Sequence, residues 1–191
     1  MEHMSKFSIK SNICPDSSEI TYTTFYDGKK CQHQEVTGKI AKRRLALEYI
    51  VRDLSSCFEY LHLLKSCQES EIAKPIYDAF VIKYGKCFAS GNERGLSLKP
   101  KNYFQNESMF YKTHLNIIKT RNKYVAHSDS SVYEQGEVYL ATNGSESKVF
   151  IPVINYSHPT DKSLDREIEL CKHLTSKVVL EIQKLDSKIK A

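Results

Sequence analysis

No apolar run in the 191 residues approaches the length of a membrane span, which excludes a transmembrane helix. The opening residues, MEHMSKFSIKSN, lack the apolar stretch of a secretory signal, so a cytoplasmic location is expected. None of the six cysteines forms a CxxC pair, and none has a histidine at zinc-finger spacing. Thiols in a reducing compartment are therefore expected, with no metal and no cofactor, and the three Asn-x-Ser sequons at Asn106, Asn143 and Asn155 carry little meaning. There is no Lys/Arg-rich tail, no repeat and no low-complexity segment. No helix-turn-helix pattern stands out, which disfavours a DNA-binding regulator. A net charge of +5 permits an anionic partner such as nucleic acid without requiring one. The one compact basic cluster is Lys42-Arg43-Arg44.

What is present is enough apolar residue for a core, 40% of the chain, at a length that favours one domain with decorations. Residues 1–36 form the least regular stretch. Within it, ITYTTFYD (Ile20 to Asp27) alternates and is β-branched, which predicts a strand with Gly28 at a turn. From Thr37 to Leu64 the pattern becomes helical, with Ile40, Leu47, Ile50, Leu54, Cys57 or Phe58, Leu61 and Leu64 recurring every three to four residues. Thr37 is a candidate N-cap. A second helix is expected over Ser70 to Ala89, with Ile76, Phe80 and Tyr84 inward and Pro75 tolerated near its start. Ser90 to Asn102 reads as a loop.

A third helix is expected from Asn106 to Ala126, with Phe110, Leu115, Ile118 and Val125 supplying its buried side. Glu137 to Val153 alternates, breaks at Asn143-Gly144 and alternates again, a strong hairpin signal. The last helix is expected over Asp161 to Lys188. Its apolar positions, from Leu164 through Ile168, Cys171, Thr175, Val178, Ile182 and Leu185 to Ile189, alternate in spacings of four and three, a heptad seam. That seam suits a coiled-coil contact between chains or, more commonly, one helix of an intramolecular bundle. The expected fold is mainly α: an up-and-down bundle of about four helices over 37–191, with a β-hairpin at about 137–153 inserted before the last helix.

The pointed chemistry sits in RNKYVAHSD, Arg121 to Asp129. Arg holds a phosphate bidentately and stays charged at any cellular pH, and His titrates near neutrality. Such a pair suits cleavage of RNA, where the 2′-hydroxyl is the nucleophile, no metal is needed, and a 2′,3′-cyclic phosphate and a 5′-hydroxyl result. On an ideal helix Arg121 and His127 lie about 120° apart, with Tyr124 between them and His114 two turns before Arg121 on the same side. One broad polar face would then carry His114, Arg121, Tyr124 and His127, with Asn122 placed to orient the phosphate or a side chain. Lys42, Arg43 and Arg44 are weaker candidates for RNA-backbone contact. With six Arg and seven His in the chain, roughly one chance Arg-to-His match at this spacing is expected, so spacing alone proves nothing. Arg166 and His173 also match. That pair is rejected because Asp165 and Glu167 flank the arginine and would repel a phosphate.

As a whole, RNKYVAHSD resembles the motif of the HEPN superfamily, in which an Arg followed by a polar residue precedes a His. A weaker likeness covers YDAFVIKYGKCFASGNERGL, Tyr77 to Leu96, which is similar to the helix and loop before the motif in HEPN-like bacterial proteins. Together these span about the middle third of the chain. The resemblance implies an α-helical bundle, commonly a homodimer in which two motifs face each other across one cleft. It also implies a metal-independent ribonuclease of the kind found among toxins and defence effectors, with RNA and an antitoxin or other protein as partners. By position Arg121 and His127 would be catalytic and Asn122 supporting. Other members are non-catalytic modules that bind RNA or protein. The hairpin lies outside the minimal bundle. The bland alternatives are a salt bridge for Arg121, a helix-end dipole contact for His127, packing for Tyr124, a structural or dimer-interface role for His114, and a solvated face for Lys42 to Arg44.

Overall fold

The computed structural model describes residues 6–14, 19–67, 70–89, 95–104, 108–122, 134–142, 144, 146–155 and 161–190. The chain divides into two compact units, Met1–Gly38 and Lys39–Ala191. The first holds a three-stranded antiparallel sheet in the order β1-β2-β3, from Phe7–Ile13, Ile20–Tyr26 and Lys29–Cys31. The strand expected at Ile20 is β2. Asp27 and Gly28, with φ of 46° and 77°, form the two-residue turn into β3, since both central positions of a type I′ turn need positive φ. β1 was not expected: FSIKSNI is short, and its lysine and asparagine dilute the strand signal.

The second unit is mainly helical. Its helices are α1 (Gly38–Ser66), α2 (Ser70–Phe88), the single turn α3 (Pro100–Tyr103), α4 (Met109–Thr120) and α5 (Asp161–Lys190). No helix is long and apolar enough among the described residues to cross a membrane. On α1 the buried stripe runs Leu47, Ile50, Leu54, Cys57, Leu61, Leu64, at spacings of three and four. Cys57 is the fully buried member of its pair and Phe58 only borders the core, while Ile40 is exposed. On α5 the seam residues Leu164, Ile168, Cys171, Val178 and Ile182 are buried within this one chain. Three ion pairs set α1 and α5 antiparallel: Lys65 with Asp165 at one end, and Arg43 with Glu181 and Arg44 with Asp186 at the other.

α4 departs from expectation in length and face. Ser108 caps it, its hydroxyl accepting the Tyr111 N–H at 3.2 Å, and the regular helix ends at Thr120. Leu115 is 47% exposed, whereas Thr113, His114, Ile117 and Thr120 are buried. Threonine can occupy the inner face because its hydroxyl donates to its own helix: Thr113 to the Met109 carbonyl at 2.9 Å, Thr120 to that of Asn116 at 3.0 Å. The core face of α4 thus mixes polar residues with Ile117; of the expected apolar residues Phe110 and Ile118 border the core, while Leu115 faces out. Val125 lies outside the described residues.

The hairpin is longer than 137–153. Glu134 pairs with Asn155 and Gly136 with Val153 (β4, Glu134–Gly136; β7, Val153–Asn155). Tyr139 pairs with Phe150 and Thr142 with Ser147 (β5, Tyr139–Thr142; β6, Ser147–Phe150). Both ladders keep one register, so this is a single arm interrupted beside Pro152, which has no N–H to donate.

Candidate functional site

The site begins where α4 stops. Arg121 is its C-cap, with its backbone N–H shared between the Ile117 and Ile118 carbonyls. Arg121 and Asn122 form a π-type turn, a widening that in other helices is frequent at functional sites. The Arg121 side chain is half-buried, and its stem crosses α2 at Gly85. A Cβ placed on Gly85 would stand 2.2 Å from Arg121 Cδ and 2.7 Å from Nε. Only glycine leaves that path open. At the far end, Nη1 donates to Asn122 Oδ1 at 3.0 Å. No carboxylate among the described residues pairs with Arg121, so the guanidinium is aimed by packing and by one neutral acceptor. That arrangement leaves a fixed cation with hydrogen-bond donors for an anion.

Tyr124 and His127 lie outside the described residues. His114 is described, and it does not belong to an open polar face. It is 3% exposed, with Phe88 and Phe104 rings at 4.4 and 5.0 Å from its own. Its Nδ1 shares a 2.9 Å hydrogen bond with the Tyr84 hydroxyl of α2. Burial lowers its pKa to about 4, which keeps the ring neutral. His114 is a core group that fastens α4 to α2, and the expected face through it is corrected accordingly. Its spacing of seven from Arg121 puts both on one side of the helix, but that side is the inner one. Tyr84→Phe is expected to lower stability by about 1–2 kcal/mol through the orphaned imidazole nitrogen. Thermal unfolding would read this as a fall of roughly 2–8 °C in Tm.

The basic cluster is also largely engaged. Arg43 pairs with Glu181 at 3.1 Å, and Arg44 pairs with Asp186 at 2.7 Å and Glu48 at 2.9 Å. Lys42 is exposed. As an RNA contact the cluster is reduced to Lys42, because its two arginines tie α1 to α5. Of the decoy pair, His173 Nε2 donates to the Tyr103 carbonyl at 3.0 Å, while Arg166 is exposed. Glu167, however, is no phosphate-repelling flank. It is 4% exposed, accepts the Tyr77 hydroxyl at 3.0 Å through Oε1, and its Oε2 has no hydrogen-bond partner among the described residues. Burial pushes its carboxyl up to about 7.

Compared with known proteins, the chain matches no family model, no curated protein and no solved structure. The HEPN likeness of Arg121 to Asp129 therefore rests on the nonamer and its setting alone. Gly85, part of that setting, was missed in the sequence, and so was the burial of Glu167 elsewhere in the core. Gly85 had a signal, an isolated glycine inside a helical pattern, where it costs about 1 kcal/mol relative to alanine and so has a packing reason. Glu167 had none, because its burial depends on how α5 turns against α2.

Proposed function

We propose that this chain is a metal-independent endoribonuclease of HEPN type, built on an up-and-down helical bundle and acting in the cytoplasm as a toxin or defence effector. The observation that carries the reading is the setting of Arg121: half-buried at a helix end, seated across Gly85, held by Asn122, and paired with no carboxylate among the described residues. Arg121 would grip the scissile phosphate through two N–H groups. His127 would take the 2′-hydroxyl proton as the 2′-oxygen attacks phosphorus. The 5′-oxygen would leave with a proton returned to it, giving a 2′,3′-cyclic phosphate and a 5′-hydroxyl. Neutral, buried His114 takes no part in these transfers; it supports α4. An antitoxin or other protein partner belongs to the same proposal.

The test is incubation of the pure chain with end-labelled RNA in EDTA. Fragments with cyclic-phosphate 3′ ends are expected. Intact RNA over a broad panel of substrates would overturn the reading. The second reading is a non-catalytic helical module that binds RNA or a protein. It is favoured by the apolar hairpin arm, on which Val138, Leu140, Val149 and Ile151 are exposed. Under that reading RNA is bound or ignored but never cut.

A further inference from the structure

The sheet β1-β2-β3 has no core of its own: none of the described residues of its strands is buried. A three-stranded sheet of this size holds together only if its apolar face is covered. That face is readable from the register. Phe7 pairs with Tyr26, Ile9 with Thr24, Ser11 with Tyr22 and Ile13 with Ile20, and directly opposed residues share one side of an antiparallel sheet. Phe7, Ile9, Ile13, Ile20, Tyr22 and Tyr26 therefore form one continuous apolar surface, each between 41% and 67% exposed.

We infer that this surface is covered by the same surface of a second copy of the chain, two sheets stacking face to face. Area supports that occupant. At roughly 100–130 Å² of accessible surface each, the six side chains present about 700 Å². A standard interface takes about 800 Å² from each partner. Charge supports it as well. The charged groups at this face among the described residues gather at one corner, where Lys29 stands opposite Tyr26 and the Lys6 Nζ, paired with Asp27, lies 5.9 Å from the Tyr26 ring centroid. Ser11 lies within this face, between Ile9 and Ile13 on β1 and opposite Tyr22. The other face carries Lys10 and Lys30 and would bring like charges together on stacking. The interface is isologous and closes at two chains. It is independent of the ribonuclease reading and stands if no RNA is cut.

The experiment is sedimentation equilibrium of the full chain. The wild type is expected at the mass of two chains at micromolar concentration. The Ile9→Glu, Tyr22→Glu double variant is expected at the mass of one chain, with its helical circular dichroism unchanged. Charges on both strands can also unfold the sheet, so a second variant tests the geometry directly. Ser11→Cys, in a Cys14→Ser, Cys31→Ser background, is treated with oxidised glutathione. The two thiols lose their protons and two electrons to form one disulfide, and glutathione disulfide is reduced to two thiols. A covalent two-chain species is expected. A one-chain wild type, which would mean that the face is covered within its own chain or not at all, overturns the inference. So does a charged variant that stays at two chains, or a Ser11→Cys protein that yields no cross-linked pair.

Discussion

Arg121→Ala is expected to lower RNA cleavage by at least about a hundredfold, the usual loss when a preorganised donor to a transition-state charge is removed. Gly85→Ala should approach the same loss although residue 85 touches no substrate. A methyl group there would stand 2.2 Å from Arg121 Cδ, so the arginine must leave its path and the guanidinium moves. A displacement near 1 Å at a reacting centre is enough for about a hundredfold. The two changes are not independent, and a double-mutant cycle shows it. In an Arg121→Ala background Gly85→Ala has no guanidinium left to displace, so it adds no further loss of rate. Stability should respond in the opposite sense. With the arginine stem gone, Gly85→Ala gains the helix propensity of alanine, about 1 kcal/mol. That corresponds to roughly 2–4 °C in Tm. In the wild-type background this gain is cancelled by the collision. Additive effects on rate, or an equal Tm gain in both backgrounds, would remove Gly85 as the seat of Arg121. This cycle is readable in Tm even if no RNA substrate is found.

Glu167→Gln is expected to stabilise the protein above pH 7 by as much as about 3 kcal/mol and to change little near pH 4.5. The burial of Glu167 raises its carboxyl from 4.5 to about 7, so between those values the folded chain holds a proton that the unfolded chain has lost. The contribution of the protonated acid is full below pH 4.5 and gone above about 7. His114 has the opposite sign. Its pKa falls from 6.5 to about 4, so the unfolded chain binds the extra proton. Its contribution is full above pH 6.5 and lost as pH falls towards 4. Over pH 4.5 to 6.5 the two slopes oppose each other with similar size, and wild-type stability should be nearly flat there. With Glu167→Gln only the His114 slope remains, and stability should climb with pH across that window. Urea unfolding of both proteins at a series of pH values checks this. Parallel pH profiles would show that Glu167 is not held protonated in the fold.

Much of the helical unit was legible in sequence. The stripes on α1 and α5 are apolar at strict three-four spacing, and any packing of such helices buries them; Leu47 to Leu64 and Leu164 to Ile182 do so within one chain. The hairpin was legible because alternation and a turn signal are local properties. Its extension to Glu134 and Asn155 was not, since the ends carry no apolar alternation. The face of α4 was read only in part, with Phe110 and Ile118 bordering the core, because its buried centre also holds threonines and a histidine. Their polar atoms are satisfied by the carbonyls of their own helix and by Tyr84, and residue type alone cannot reveal such partners.

The candidate site divides along the same line. Sequence by itself determined that Arg121 and Asn122 stand together near a helix end, because adjacency and helix stoppers are local. Only the tertiary structure decided the partners of the Arg121 stem and of the other candidate residues. It brought Gly85 of α2 under the Arg121 stem, drew His114 into an aromatic core, tied Arg43 and Arg44 to α5, and buried Glu167 beside Tyr77. Each of these depends on how two helices far apart in the chain are rotated against one another. That rotation is set by the summed packing of the core, and no short stretch of residues encodes it.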